Sequence, residues 1–170
     1  LPKKAEYRFA QCEPSIMIDP KNPKIMVAGS ILNDYYYSKN GGKRWKSKSL
    51  KSPYGVYGDP VLIFDTIGRP YYFHLSSYSE TSHLDRIICQ SADKVCGEFN
   101  EGTFPKPNGT KVQDKHWIVV NPKTNDALLQ DVLNVDDALY DCCIDIDLDA
   151  LDTIGNAVGT AHWVASKNYK

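Results

Sequence analysis

Three stretches of the chain repeat one arrangement of apolar and polar positions. Ser15 to Ser30 reads SIMIDPKNPKIMVAGS, Val61 to Ser76 reads VLIFDTIGRPYYFHLS, and Trp117 to Gln130 reads WIVVNPKTNDALLQ. In each, an apolar run ends at Asp19, Asp65 or Asn121, a short turn rich in Pro, Gly, Asn and Lys follows, and a second apolar run returns. A short apolar run closed by turn residues reads as a strand, and two such runs across a polar connection read as a hairpin. The first runs are apolar at nearly every position, as in strands covered on both faces, while the returning runs are more mixed. The three markers lie 46 and then 56 positions apart. That period suits a four-stranded β-propeller blade with its loops.

Between the first two repeats, Tyr35 to Trp45 reads YYYSKNGGKRW and predicts a further hairpin. Three tyrosines favour an extended strand, Ser38 and Asn40 can bond back to nearby amides, Gly41 and Gly42 permit positive φ, and Arg44-Trp45 restart a strand. After Asn125 the pattern weakens. Asp126 to Asp141 is acidic, with Leu128, Leu129, Val132, Leu133 and Val135, and fits a helix or two short strands. Cys143 to Asp149 alternates strictly, Ile144, Ile146 and Leu148 against Asp145, Asp147 and Asp149, which predicts an amphipathic strand. Asp152 to Gly155 then reads as a turn and Ala157 to Ala165 as a returning strand anchored by Trp163. The aspartate triplet is no calcium loop: an EF-hand starting at Asp145 would need Gly and Glu where Ala150 and Asn156 stand.

The spacing Ser38, Asn40, Gly42, Trp45 resembles the Asp-box (BNR) repeat, Ser-x-Asp-x-Gly-x-x-Trp, of sialidases and related β-propellers, with Asn in place of the usual Asp. The resemblance covers roughly residues 7–125. It implies an all-β fold, a partial β-propeller of about three four-stranded blades, with blade one at about 13–50, blade two at about 58–100 and blade three at about 114–170. Blade one would be completed by Tyr35 to Ser38 and Arg44 to Ser47. Blade two would be completed by Arg86 to Gln90, followed by a decayed box at Ser91-Ala92-Asp93. In that family the box is a structural turn between the two outer strands of a blade, on the face away from the active site.

Sialidases also carry a Tyr/Phe-Arg-Ile-Pro motif whose arginine binds the sugar carboxylate, and Tyr7-Arg8-Phe9-Ala10 occupies a comparable place without its Ile and Pro. A guanidinium suits a carboxylate because its planar fork donates two parallel hydrogen bonds. The family's general acid is an aspartate in the loop between the second and third strands of the first blade, where Asp34 stands. Propeller geometry would gather Arg8, Glu13, Asp34, Asp59, Glu80, His83 and Asp114 at one mouth, with Tyr54, Tyr57, Tyr78 and His116 as stacking or polar neighbours. The plainer reading of Glu13-Pro14, Asp59-Pro60 and Asp114-Lys115 is that a carboxylate ahead of a strand accepts backbone hydrogen bonds. The family's nucleophilic tyrosine, its activating glutamate and two further arginines come from later blades, so the chain is expected to be a fragment, a ring-completing subunit or a smaller β fold of blade-like units.

A chain of 170 residues supports one core and a single domain. With 20 Lys and Arg against 21 Asp and Glu, no overall basic field draws it to nucleic acid or an anionic membrane. The lysines from Lys39 to Lys51 alternate with Ser, Trp and Leu as a solvated strand edge does. No apolar run reaches the ~18 residues of a membrane-spanning helix. The first residue is Leu1, with no signal-like segment ahead of it, so a trimmed or processed N-terminus is expected. Five cysteines leave at least one thiol free. Cys89 and Cys96 can close a short loop, whereas the adjacent Cys142 and Cys143 pair only under strain. No Cys/His ligand spacing for zinc occurs, and no cofactor is expected. Asn108-Gly109-Thr110 fits a glycosylation sequon.

Three functions follow as expectations: a sialidase-like module that binds glycan or another extracellular ligand, secreted or periplasmic; a glycosidase of exo-sialidase type with Asp34 as acid and Arg8 as carboxylate-binding group; or a non-catalytic interaction scaffold. Self-association through open blade edges goes with any of them.

Overall fold

A computed structural model describes residues 12–76, 86–104, 116–121, 123, 126–135, 138–147 and 161–165. Among them there is no helix. The strands are β1 (Ser15–Ile18), β2 (Met26–Ser30), β3 (Asp34–Ser38), β4 (Lys46–Ser49), β5 (Gly58–Phe64), β6 (Pro70–Leu75), β7 (Ile87–Ser91), β8 (Trp117–Val120), β9 (Asp126–Val135), β10 (Ala138–Asp147) and β11 (Ala161–Ala165). They form three antiparallel sheets in the orders β1-β2-β3-β4, β5-β6-β7 and β8-β9-β10-β11, so each strand pairs with its neighbours in sequence. The stretch left open between helix and strands is the hairpin β9-β10, in register from Asp126↔Asp147 to Val135↔Ala138. The alternating Asp145 and Asp147 lie in the last part of β10, and the expected return strand is β11; Asp149 and the turn at Asp152 to Gly155 fall outside the described residues.

The repeated marker residues do one job three times. Asp19 Oδ1 accepts the Lys21 amide at 2.8 Å, Asp65 Oδ1 the Ile67 amide at 3.0 Å, and Asn121 Oδ1 the Lys123 amide at 3.0 Å. Each side chain thus folds over the amide two residues on and fixes the turn that reverses the chain. At Asp65 the same oxygen also takes the Arg69 amide at 2.8 Å, and Oδ2 holds Arg69 Nε at 2.5 Å.

The hairpin predicted from YYYSKNGGKRW joins β3 to β4. Ser38 Oγ accepts the amides of Asn40 (3.3 Å) and Gly42 (3.0 Å) and donates to Asn40 Oδ1 (3.0 Å), which also accepts the Arg44 amide (2.9 Å). Gly41 and Gly42 have φ of 66° and 79°, the left-handed conformation that glycine adopts without steric cost. The Gly41 amide donates to the Lys24 carbonyl at 2.8 Å, tying this turn to the β1-β2 turn.

The core lies between the first two sheets. Val27, Tyr35, Tyr37, Leu50, Leu62, Phe64, Tyr72 and Val95 are buried together. Tyr35 and Phe99 meet edge to face with ring centroids 4.9 Å apart. The sheets approach closely at Gly29, where a methyl group would sit 2.8 Å from the Tyr72 ring. Two hydroxyls cross the seam: Tyr35 donates to the Val95 carbonyl at 3.0 Å and Tyr72 to the Asp34 carbonyl at 3.2 Å. Burial pushes both phenols above their usual pKa, with Tyr37 adding to this at Tyr35 and the Asp34 charge at Tyr72.

Four expectations are corrected. Of the first strands, only β5 is covered on both faces, with β1 and β2 on one side and β8 on the other. On β1, Ile16 (60%), Met17 (37%) and Ile18 (48%) remain exposed, as do Trp117 (59%) and Val119 (62%) on β8, because each of these strands has a described sheet packed on one flank alone. The second sheet has three strands and not four: its fourth member is reduced to one bridge, Cys89↔Thr103. The intervening residues turn instead of extending, which delivers Val95 and Phe99 to the core. In place of a decayed box, Asn100 clasps Ser91, accepting its amide (3.0 Å) and donating to its hydroxyl (3.0 Å). Cys89 and Cys96 form no disulfide: Cys89 is buried on β7, whereas Cys96 is half-buried and turned toward Lys39.

Candidate functional site

The antiparallel order of the first two sheets, with the contacts below, places the leads into β1 and β5 and the β2-β3 turn at one end, opposite the Ser38-Asn40 turn. The β2-β3 turn, residues 31–33, is the hub of that end. The Ile31 amide donates to the Cys12 carbonyl at 3.2 Å, which brings up the lead into β1. A methyl group on Gly58 would sit 2.9 Å from the Ile31 side chain, which brings up the lead into β5. Asn33 Nδ2 donates to the Leu50 carbonyl at 3.1 Å and closes the end of β4 onto the same turn.

Two sequence-predicted residues show an unexpected equivalence here. Glu13 and Asp59 both precede a proline, both stand six positions ahead of their turn marker, and both adopt left-handed backbone, with φ of 53° and 51°. A non-glycine residue in that region costs on the order of 1–3 kcal/mol and persists only where its surroundings impose it. The hub supplies that constraint, and the result is a carboxylate-bearing residue set rigidly at the same place in two successive sheets. Glu13 is exposed and Asp59 half-buried.

The other predicted residues divide. Asp34 is not in the loop: the turn is confined to residues 31–33, and Asp34 opens β3, paired with Ser30 and Ser49 and 7% exposed. A turn this tight leaves no room for a loop aspartate. His116 lies directly ahead of β8 and is wholly buried, so a ligand in solvent does not reach it. Tyr54 and Tyr57 are 37% and 45% exposed in the connection from β4 to β5 and can offer ring faces to a ligand. Arg8, Glu80, His83, Asp114 and Tyr78 lie outside the described residues, as does the sequon at Asn108.

Sequence reasoning missed one group at this end. The Arg86 guanidinium sits 4.5 Å from the centroid of the Phe104 ring, and Phe104 meets Tyr54 edge to face at 5.0 Å. Arg86 just precedes β7 and Phe104 follows the Thr103 bridge, so only the chain's return to β7 unites them with Tyr54; no spacing along the sequence signals it. The Arg86 cation and the Phe104 and Tyr54 rings thus form one cluster, while Glu13 and Asp59 stand ahead of the turn markers of the first two sheets. Among the described residues no group of His, Cys, Asp and Glu is arranged to hold a metal ion. No helix among them is long and apolar enough to cross a membrane. No protein-family model matches this chain, and no curated protein matches it.

Proposed function

We propose that the chain is a sialidase-like, BNR-repeat β-propeller module of about three blades that binds a glycan or another extracellular ligand and does not hydrolyse it. The observation that carries this reading is the Ser38-Asn40-Gly42 turn. Its serine and asparagine side chains satisfy four hydrogen bonds within one connection, the arrangement expected of a box turn between outer blade strands. The thrice-repeated turn marker and the stacking of β5 between β1 and β8 support radially arranged sheets.

Binding is preferred to hydrolysis because Asp34 is buried at the start of a strand, while glycoside cleavage needs two carboxyl-type groups open to the scissile bond. The exposed apolar faces of β1 and β8 favour association with a second copy.

Two assays test the reading. A fluorogenic sialoside is expected to show no turnover with the wild type, and turnover lost in Asp34→Asn would establish the hydrolase instead. An array of sialylated and neutral glycans is expected to show binding that falls in Arg8→Ala and Tyr57→Ala. Silence across the array would leave a scaffold as the remaining function.

A further inference from the structure

At the opposite end of the sheets, an open cavity of about 530 Å³ lies between the box turn and Cys96 of the β7-to-Thr103 connection. Lys39, Arg44 and Lys46 supply its charge and the rings of Tyr37 and Trp45 its apolar wall, with Cys96 on the facing side. Lys39 Nζ donates to Cys96 Sγ at 3.1 Å. The Cys96 backbone is pinned as well: Lys48 Nζ donates to the Cys96 carbonyl at 3.0 Å and the Gly97 carbonyl at 3.1 Å while pairing with Glu98 at 2.6 Å. Lys39 is the variable residue after Ser38 in the box, so a turn built for structure delivers an ammonium to a sulfur 57 positions away.

We propose that Cys96 is a reactive thiolate whose cationic, ring-walled cavity admits small anionic disulfides, so that the protein forms a mixed disulfide there. The nucleophile in such exchange is the thiolate, which a neighbouring cation stabilises. Cys96 Sγ attacks one sulfur of R–S–S–R, a Cys96–S–S–R bond forms, the original S–S bond breaks, and R–S⁻ departs. Cys96 is oxidised and the departing sulfur reduced, so electrons balance without another partner. The cations Arg44 and Lys46 select for negative charge on R, and Tyr37 and Trp45 accommodate its apolar part.

The titration of Cys96 follows from the groups around it. The Lys39 hydrogen bond is the main influence and holds the thiol below its ordinary pKa; burial opposes it, and the Lys39 and Lys94 charges add to the lowering. Lys39 is correspondingly raised by the same contact. The nearby Glu98 charge is taken up by Lys48. Two further thiols serve as internal comparisons: Cys12 is exposed, and burial pushes Cys89 up and keeps it inert. The inference stands apart from the ligand site, because it concerns the other end of the molecule and holds whether or not glycans bind.

The test uses the reduced chain with oxidised glutathione, a dianionic disulfide, and cystamine, a dicationic one, followed by peptide mapping of the adducts. Cys96 is expected to react about tenfold faster than Cys12 with the anionic disulfide near neutral pH, and to prefer it over cystamine in a way that added salt erodes. Lys39→Gln, an exposed position, is expected to slow Cys96 several-fold and move the midpoint of its rate-pH profile upward, while Lys39→Arg retains most of the rate. Equal rates at Cys96 and Cys12, indifference to disulfide charge, or a Lys39→Gln profile that superimposes on the wild type would overturn the proposal.

Discussion

His74 should make the fold acid-sensitive in a range where few other groups titrate. It is wholly buried on β6, with Nδ1 2.8 Å from the Leu75 carbonyl and Nε2 3.2 Å from Gln90 Oε1. The Gln90 amide cannot turn over, because its Nε2 donates to the Lys51 carbonyl (2.8 Å) and the Asn100 carbonyl (2.6 Å). Both ring nitrogens therefore face acceptors. Burial still dominates and pushes the imidazole down to about 4, against the pull of Leu75 and Gln90 toward the protonated form. In the unfolded chain the same group titrates near ~6.5. As pH falls below that value the unfolded state takes up a proton that the folded state refuses, so stability present above it is lost progressively down to about 4. Between pH 7 and 4.5 one such group removes roughly 2.5 kcal/mol, at ~1.36 kcal/mol per unit of pKa difference. Urea unfolding across that range, on wild type and His74→Gln, measures it. Carboxylates contribute to both proteins, so the gap between the two curves isolates the histidine. Stability curves that run parallel from pH 7 to 4.5 would refute the argument.

Other perturbations have equally definite outcomes. Asn40→Ala removes the acceptor that closes the box turn and should lower stability by about 1–2 kcal/mol, whereas Asn40→Asp should not; thermal melts of both variants decide it. Gly29→Ala pushes a methyl group into the Tyr72 ring and should cost about 1–3 kcal/mol, with a partial return in Gly29→Ala/Tyr72→Phe if the phenol oxygen is the obstacle. Asp65→Ala leaves two turn amides and a largely buried Arg69 without their acceptor and should cost about 3 kcal/mol, read by chemical denaturation. Ile16→Ser with Val119→Thr should leave folding within about 0.5 kcal/mol of wild type while weakening self-association in sedimentation experiments, and unchanged association would place the contact elsewhere.

Local chemistry was legible in the residues, and distant chemistry was not. Asp19, Asp65 and Asn121 announce their turns because the bond each makes reaches only two residues along the chain, and the box is equally self-contained. The buried status of β5 was readable from VLIF, but SIMI and WIVV are also mostly apolar and lie partly exposed, since burial depends on which sheets flank a strand. Ala92 to Thr103 escaped the pattern altogether. Val95 and Phe99 stand isolated among polar and small residues with no apolar run to mark an element, and their partners Tyr35 and Tyr72 come from two other strands. At the candidate site, Glu13 and Asp59 were legible as carboxylates before prolines, while their shared left-handed backbone was not. Asp34 looked like a loop residue because nothing in ILND reveals how tight the turn is. The approach of Lys39 to Cys96, across 57 positions, has no counterpart in sequence spacing at all.

The strict order of each sheet bears on how the molecule assembles. Every ladder joins strands that are consecutive in the chain, so each sheet can close its own loops at small entropic cost before any long-range contact exists. The Gly29-Tyr72 seam and the two tyrosine hydroxyls then act late, joining units that have already formed. Unfolding should accordingly proceed in cooperative blocks, with amide exchange separating the sheets from one another rather than the strands within a sheet.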